Sequence, residues 1–143
     1  MPLMKHVMTT FPYSVGISAP LAQARETMVE HDLRHLPVVD DHHNLVGVVS
    51  ERDVSVIYSL GAPLMDAAKL TVGSVCSKDP FTVDSNTDVA SVALHMAENH
   101  ISCAVVTHNS KMAGIFTTTD ACRFLAEHLQ DLYGGPGGEP EAA

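Results

Sequence analysis

The sequence has no tryptophan and few aromatic side chains of any kind. Only 5% of its 143 residues are aromatic, although 45% are hydrophobic. The core must therefore be built from Val, Leu, Ile, Ala and Met, a composition that suits helices packed on small sheets. A chain of this length supports one ordinary core, whereas two units of about 60 residues would each be marginal alone. We expect any internal units to pack on one another.

Basic residues are also scarce, and long apolar runs are missing. Eight Lys and Arg face 17 Asp and Glu, which gives a net charge of −9. This balance disfavours nucleic acid as a partner, because affinity for a phosphate backbone comes from clustered Lys and Arg. No apolar run approaches the roughly 18 to 20 residues of a membrane span, and residues 1–6 lack the pattern of a signal peptide. The sequence predicts a cytoplasmic protein without a membrane partner.

Cysteines are few, and the histidines do not form a metal-binding pattern. Three cysteines without C-x-x-C spacing predict free thiols in a reducing compartment. Among nine histidines, the only local groupings are His31 with His35 and His42 with His43. For His31 and His35 to bind one metal ion, both would have to lie on one continuous helix, but the sequence pattern ends a helix near His31. The third and fourth ligands of such a site are also missing. We therefore predict no metal site. The cysteines, expected to be small apolar fillers, are Cys76, Cys103 and Cys122.

The strongest positive signal is an internal duplication. Residues 7–43 align with residues 75–111, at an offset of about 68 residues. After a slip of one residue, Gly47-Val48-Val49-Ser50-Glu51-Arg52-Asp53 falls on Gly114-Ile115-Phe116-Thr117-Thr118-Thr119-Asp120. Glycine, hydroxyl and carboxylate thus recur at the same spacing. Such self-similarity indicates two copies of one supersecondary unit.

Each copy has the pattern strand, helix, strand, strand, helix. In copy one, alternation and helical spacing predict a strand over 12–17, a helix over about 19–30, a hairpin of 35–40 with 45–49, and a helix over 51–60. Ser18 is the expected N-cap, with Pro20 in the first helical turn. In copy two, Ser85 or Asn86 is expected to cap a helix, followed by strands over 103–107 and 112–117 and a helix over 118–133. Residues 71–76 mirror residues 4–8 as a short leading turn.

The chain accordingly divides into four parts. We predict repeat 1 over 1–63, a connector and leading turn over 64–76, and repeat 2 over 77–133. Residues 134–143 are rich in glycine and proline and are expected to form a disordered tail without a readable function.

The repeated glycine, hydroxyl and carboxylate pattern has two readings. Ser50 and Thr117 fall where a strand meets a helix, and the free N–H groups and dipole there favour an anion such as phosphate. Asp53 and Asp120, one turn later, can accept both hydrogen bonds of a ribose diol. The same spacing is also that of a capping box, in which the side chains serve only the helix's own N–H groups. We expect Ser85-Asn86-Thr87-Asp88 to be a cap alone.

With both copies laid out, the chain resembles a tandem pair of CBS domains, the modules named after cystathionine β-synthase. The resemblance covers about residues 1–130 and implies an α/β fold of two β-α-β-β-α repeats packed sheet to sheet about a pseudo-twofold axis. The motifs that carry it are Val7-Met8-Thr9-Thr10, Arg34-His35-Leu36-Pro37-Val38-Val39-Asp40, Gly47–Asp53 and its echo Gly114–Asp120.

The resemblance implies a regulatory sensor rather than a catalyst. Such pairs bind adenine nucleotides or adenosyl compounds in the clefts between the repeats and associate as homodimers. AMP, ADP, ATP and S-adenosylmethionine all remain candidate ligands, with no resident cofactor. Independently, the sequence has no G-x-S-x-G elbow and no glycine-rich phosphate loop, which disfavours an enzyme. We expect a stand-alone sensor whose effector is another protein, with a dimeric interaction module whose clefts are closed by Tyr13 and Phe81 as the alternative.

The resemblance also assigns residues to two clefts, each combining one repeat's motif with the other repeat's first two strands. The first cleft has cations at Arg52 and Lys78, so we expect it to prefer more phosphorylated ligands. Its predicted residues are Ser50, Arg52, Asp53, Lys78, Phe81, Ile101 and Cys103. The predicted residues of the second cleft are Tyr13, Leu33, His35, Thr117, Thr119 and Asp120.

Overall fold

The structure is a computed structural model that describes residues 1–10, 13–61 and 69–134. Both halves of the chain contain the element order strand, helix, strand, strand, helix. The helices are α1 (Met4–Val7), α2 (Leu21–Glu30), α3 (Glu51–Gly61), α4 (Val89–Asn99) and α5 (Thr118–Tyr133), with a 3-10 turn at Val72–Ser74. The strands are β1 (Thr9–Thr10), β2 (Val15–Gly16), β3 (His35–Val39), β4 (Leu45–Ser50), β5 (Thr82–Asp84), β6 (Cys103–His108) and β7 (Lys111–Thr117).

The strands form two sheets, one for each repeat. The first has the order β2-β3-β4 and the second β1-β7-β6-β5. In each repeat the first strand runs parallel to the second, and the second and third form an antiparallel hairpin. The register pairs His35 with Ser50 in the first hairpin and Cys103 with Thr117 in the second. The predicted two-repeat α/β fold is confirmed.

Two of the predicted helix caps are wrong. Helix α2 has Pro20, not Ser18, at its N-cap position, and no side chain there accepts a hydrogen bond. Helix α4 is capped by Asp88, whose carboxylate accepts a hydrogen bond from the Ser91 N–H at 2.8 Å. Ser85 is instead buried and bonded to His108 Nδ1 at 3.0 Å. The carboxylate of Asp84 accepts from the Asn86 N–H, which makes a turn and delays the helix.

The predicted first strand is also shorter than expected, since it covers only Val15–Gly16; residue 12 lies outside the described residues. The end of the first repeat at 62–63, residues 64–68 of the predicted connector and all but the first residue of the predicted tail lie outside them too. The boundaries of the four parts therefore stay predictions.

The two short segments that lead into the repeats are exchanged between the sheets. We call residues 3–10 the first leading segment and residues 70–77 the second. Strand β1 of the first pairs with β7 of the second repeat, with Thr9 opposite Ile115. In return, Ser77 bridges to Val48 of the first sheet. Each repeat is completed by chain that precedes the other one.

The two hydrophobic cores follow the same exchange. Val72 and Cys76 belong to the core under the first sheet, while Met4 belongs to the core under the second and is fully buried. The cores consist mainly of Val, Leu, Met and Ala, as the scarcity of aromatic residues predicts. Among the described residues, only Phe116 contributes a fully buried aromatic ring. The cores hold the ends of β4 and β7, where the repeated motifs lie, in fixed positions.

Candidate ligand-binding cleft

A cleft of about 720 Å³ opens between the two repeats at the end of strand β4. Its volume lies within the range of about 300–1,000 Å³ that is usual for sites that hold small molecules. Both repeats contribute to its wall, which contains polar and apolar groups. The lining residues are His35, Val48, Ser50, Asp53, Ser77, Asp79, Pro80, Phe81, Thr82, Ile101, Ser102 and Cys103.

Ser50 and Asp53 form a capping box at the start of α3. The Ser50 N–H donates to Asp53 Oδ2 at 3.0 Å, and the Asp53 N–H donates to Ser50 Oγ at 3.1 Å. The Glu51 N–H donates to the carbonyl of Arg34 at 2.8 Å. The cap uses only one oxygen of the Asp53 carboxylate. Within the described part of the chain, Asp53 Oδ1 has no hydrogen bond, so it can accept one from a ligand in the cleft.

The equivalent carboxylate of the second repeat is engaged on both oxygens. Asp120 Oδ2 accepts from the Thr117 N–H at 2.9 Å and from Thr117 Oγ1 at 3.1 Å. Asp120 Oδ1 accepts from Thr9 Oγ1 at 3.3 Å and from Arg123 Nη1 at 3.4 Å. The two motifs therefore share the spacing of glycine, hydroxyl and carboxylate and the same helix cap. They differ in whether the second carboxylate oxygen of the aspartate is available to a ligand.

Five of the seven residues predicted for the first cleft line it together. Ser50 and Asp53 come from the first repeat, and Phe81, Ile101 and Cys103 come from the second. Phe81 stacks on His95, with ring centroids 4.6 Å apart, and forms part of the wall. Arg52 and Lys78 are both exposed and are not among the lining residues.

The second predicted cleft adjoins residues 11 and 12, which lie outside the described residues, so its assembly stays a prediction. Leu33 packs on the first core, and Tyr13 is half exposed and stacks on His31 with ring centroids 3.8 Å apart. Thr119 is exposed on α5. A cavity of about 280 Å³ beside Asp120 includes none of the other five.

His35, predicted for the second cleft, lines the cleft of Ser50 and Asp53. The register of the β3–β4 hairpin sets it opposite Ser50. Its contribution to the second cleft stays a prediction. Burial lowers the pKa of His35; the Asp53 charge opposes this shift and the Arg34 charge adds to it.

Six lining residues are absent from the sequence prediction: Val48, Ser77, Asp79, Pro80, Thr82 and Ser102. Ser102 lies across the cleft from His35, and its Oγ is 3.0 Å from His35 Nε2, which joins the two repeats. Ser77 is the repeat equivalent of Thr9, so the duplication itself could have indicated it. Asp79 follows Lys78, the residue that the sequence predicted for this cleft. The Asp79 carboxylate adds a second negative charge to the wall.

The cysteine and histidine groupings show no ligand set in the described part of the chain. No three His, Cys, Asp or Glu side chains in these ranges lie together as a metal site requires. His31 ends α2 as its C-cap while His35 begins β3, so the two do not share a helix. Burial, and next the Asp120 charge, raise the pKa of the Cys103 thiol to about 12, which keeps it protonated and unreactive.

The sequence matches the family model of the CBS domain twice, over residues 4–59 and 72–127. The chain belongs to the CBS domain family. Within the described residues, no helix is both long and apolar enough to cross a membrane.

Among related proteins, Hypoxic response protein 1 of Mycobacterium tuberculosis is 32% identical over 80% of this chain and 78% of its own length. A crystal structure of Hypoxic Response Protein I contains two coordinated zinc ions. L-aspartate semialdehyde sulfurtransferase of Methanocaldococcus jannaschii is 26% identical, but the match spans only 23% of that enzyme.

Solved structures share the fold over nearly the whole chain. The putative acetoin utilization protein AcuB of Vibrio cholerae superposes with a TM-score of 0.80 and 25% identity, covering 98% of this chain and 99% of that one. CBSX2 of Arabidopsis thaliana, solved in complex with AMP, superposes with a TM-score of 0.77 and 26% identity, covering 90% of this chain and 98% of CBSX2.

Proposed function

We propose that this protein is a regulatory sensor that binds an adenosine-containing ligand in the cleft between its repeats. The observation that carries the proposal is the cleft at the end of β4, where Ser50 and the available oxygen of Asp53 face a wall supplied by the other repeat. A carboxylate in this position suits the two hydroxyl groups of ribose. The apolar side chains of Val48, Phe81 and Ile101 suit the faces of adenine. The complex of CBSX2 with AMP supports the ligand class.

We place the ligand at Asp53 rather than at Asp120. A ligand at Asp120 would have to displace Thr9 and Arg123 from the second carboxylate oxygen before it could bond to it. At Asp53 that oxygen needs no such displacement. The proposal therefore assigns Ser50, Asp53, Phe81, Ile101 and Cys103 to the ligand site and gives the Thr117 motif a mainly structural role.

Thermal unfolding with added ligands tests this proposal. A ligand that binds only the folded state raises the melting temperature by mass action. We expect at least one of AMP, ADP, ATP, adenosine or S-adenosylmethionine to raise it, and ribose 5-phosphate to have no effect. Asp53→Ala should abolish the rise, whereas Asp120→Ala should retain it. Both variants remove the capping hydrogen bond to the N–H of Ser50 or Thr117, and Asp120→Ala also removes the contacts to Thr9 and Arg123, so it is the more severe structural control.

Two results would contradict the proposal. A folded wild-type protein that responds to none of these ligands would favour the interaction module with closed clefts. A rise that is lost in Asp120→Ala and kept in Asp53→Ala would move the site to the second motif.

The ligand signal also needs a route to another protein. Since the cleft joins both repeats, a ligand there favours one arrangement of the two sheets, and an effector protein that binds this arrangement reads the signal. The effector protein and the absence of catalysis are proposals from the family resemblance. The cytoplasmic location is a proposal from the sequence pattern.

We further propose that two chains associate through helix α5. This helix has sixteen residues and buries none of them completely, yet leucines recur along it. Leu125, Leu129 and Leu132 are 55%, 45% and 58% exposed. Light scattering after gel filtration should give a dimer for the wild type and a monomer for Leu129→Glu, because a buried unpaired carboxylate is costly. A wild-type monomer would refute the association.

A further inference from the structure

We propose that the cleft selects adenosine derivatives whose 5′ substituent carries no net negative charge, such as a nucleoside or a thioether, over phosphorylated ones. This inference rests on the proposed adenosine site and specifies its ligand class. It differs from the sequence-based expectation that Arg52 and Lys78 make this cleft a polyphosphate site.

The first argument is the charge of the cleft wall. Two carboxylates, Asp53 and Asp79, line it, and the described lining residues include no Lys or Arg. A phosphate group brought into this space meets the like charge of the half-buried Asp53 and, more strongly screened by water, that of the exposed Asp79. The whole chain, with a net charge of −9, adds to the unfavourable potential.

The second argument concerns the start of α3, where a phosphate would be expected to bind. The anion site at a helix N-terminus consists of unsatisfied backbone N–H groups. Here the Ser50 and Asp53 N–H groups donate within the capping box, and the Glu51 N–H donates to Arg34. The Asp53 carboxylate already occupies the positive end of the helix. Three of the N–H donors at this helix start are therefore already in use.

The nearby cations do not compensate for these charges. The Arg34 guanidinium lies 3.8 Å from Glu51 Oε2, and both side chains are largely exposed. Arg52 and Lys78 are exposed and are not among the lining residues. His35 is the remaining basic group on the wall, and burial lowers its pKa, so it is mostly neutral at pH 7 and above. Its ring, 3.0 Å from Ser102 Oγ, offers a neutral hydrogen-bonding partner.

Titration calorimetry with the full chain tests the preference. Adenosine, 5′-methylthioadenosine, AMP and ATP would be compared at the same low ionic strength and pH 7.5. We expect the two uncharged compounds to bind at least about tenfold more tightly than AMP, and ATP to bind more weakly still. Raising the salt concentration should narrow the gap, because screening weakens charge repulsion.

A matched pair of variants isolates the charge. Asp79→Asn keeps the size of the side chain and removes one negative charge from the wall, so it should tighten AMP binding by about three- to tenfold relative to adenosine binding. Asp41→Asn removes the same charge from the exposed turn between β3 and β4 and should change neither ligand.

The outcomes separate this inference from the proposed function. Binding of AMP or ATP equal to or tighter than that of adenosine and its thioether, or an Asp79→Asn variant with unchanged AMP affinity relative to adenosine, overturns the charge preference but keeps the adenosine site. Binding of none of the four compounds to folded protein overturns the adenosine site itself.

Discussion

At the scale of single residues, His35 connects the ligand site to the stability of the protein. Its ring lines the cleft, lies within hydrogen-bond distance of Ser102 in the other repeat, and is largely withdrawn from water. Burial favours the neutral ring and lowers its pKa in the folded state, and the Arg34 charge adds to this effect while Asp53 opposes it. His35 therefore makes folding depend on pH.

The sign of this dependence follows from the direction of the shift. Below the ordinary pKa of about 6.5, the unfolded chain binds a proton at His35 more readily than the folded chain does. The contribution of the neutral ring is therefore present above pH 6.5 and is lost as the pH falls through the lower, folded-state value. We expect His35→Gln to lose less stability than the wild type between pH 7.5 and pH 5, as measured by urea unfolding. The exposed His42→Gln serves as the control, and an equal loss in His35→Gln and wild type would refute the prediction.

The same scale shows what could be predicted about the site. Asp53 and Ser50 were identified because a repeated motif marks them twice in one chain. The absence of Arg52 and Lys78 from the lining could not be predicted, because a side chain at a helix start or in a loop can point to either side without changing the sequence pattern. The sequence identified the first hairpin but not the register that sets His35 opposite Ser50, so the position of His35 on this wall could not be predicted either.

At the scale of elements, two glycines let the leading segments lie directly on the sheets. A Cβ atom added to Gly114 would lie 2.7 Å from both the Thr9 carbonyl oxygen and Met8 Sδ. A Cβ atom at Gly47 would collide with the carbonyl oxygen of Ser77. Backbone cannot yield as a flexible side chain does, so these positions exclude any larger residue. The repeated glycine of the motif thus serves the contact between elements.

We expect Gly47→Ala and Gly114→Ala each to destabilise the protein by about 1–3 kcal/mol, because the leading segment must shift away from the sheet. Gly16→Ala is the matched control, since no atom lies within 4 Å of its added Cβ atom. That change should be close to neutral. Chemical unfolding of the three variants gives the comparison, and a Gly114→Ala variant as stable as Gly16→Ala would contradict it.

The elements themselves were largely predictable. Both hairpins and the long helix α5 were expected nearly where they occur, because alternation and helical spacing extend over many residues. The starts of α2 and α4 were not, because several neighbouring Ser, Thr, Asn and Asp side chains can serve as caps. At α4 the N-cap is Asp88, because Asp84 forms a turn with Asn86 before the helix begins.

At the scale of the whole molecule, the exchange of leading segments couples the two repeats. Met4 precedes the first repeat, yet it is fully buried in the core of the second. We expect Met4→Ala to lower the free energy of unfolding by about 2–5 kcal/mol, as for other buried methionines. Val29→Ala, at a position that is 77% exposed, is the control.

The coupling predicts one unfolding transition for the wild type and for Met4→Ala alike. In Met4→Ala, hydrogen exchange should quicken in both sheets, because loss of either core exposes the leading segment that completes the other. Two separate transitions, with the first sheet unaffected by the change at Met4, would show that the repeats unfold independently.

The pairing of β1 with β7 also constrains the order of events during synthesis. Thr9 and Thr10 are synthesised long before their partners Ile115 and Gly114. The first leading segment must therefore stay unpaired while both repeats are made. The first sheet is completed sooner, since Val72 and Ser77 follow it closely. We infer that the second sheet, and with it the part of the cleft wall that this sheet carries, takes its final shape only after β7 has been made.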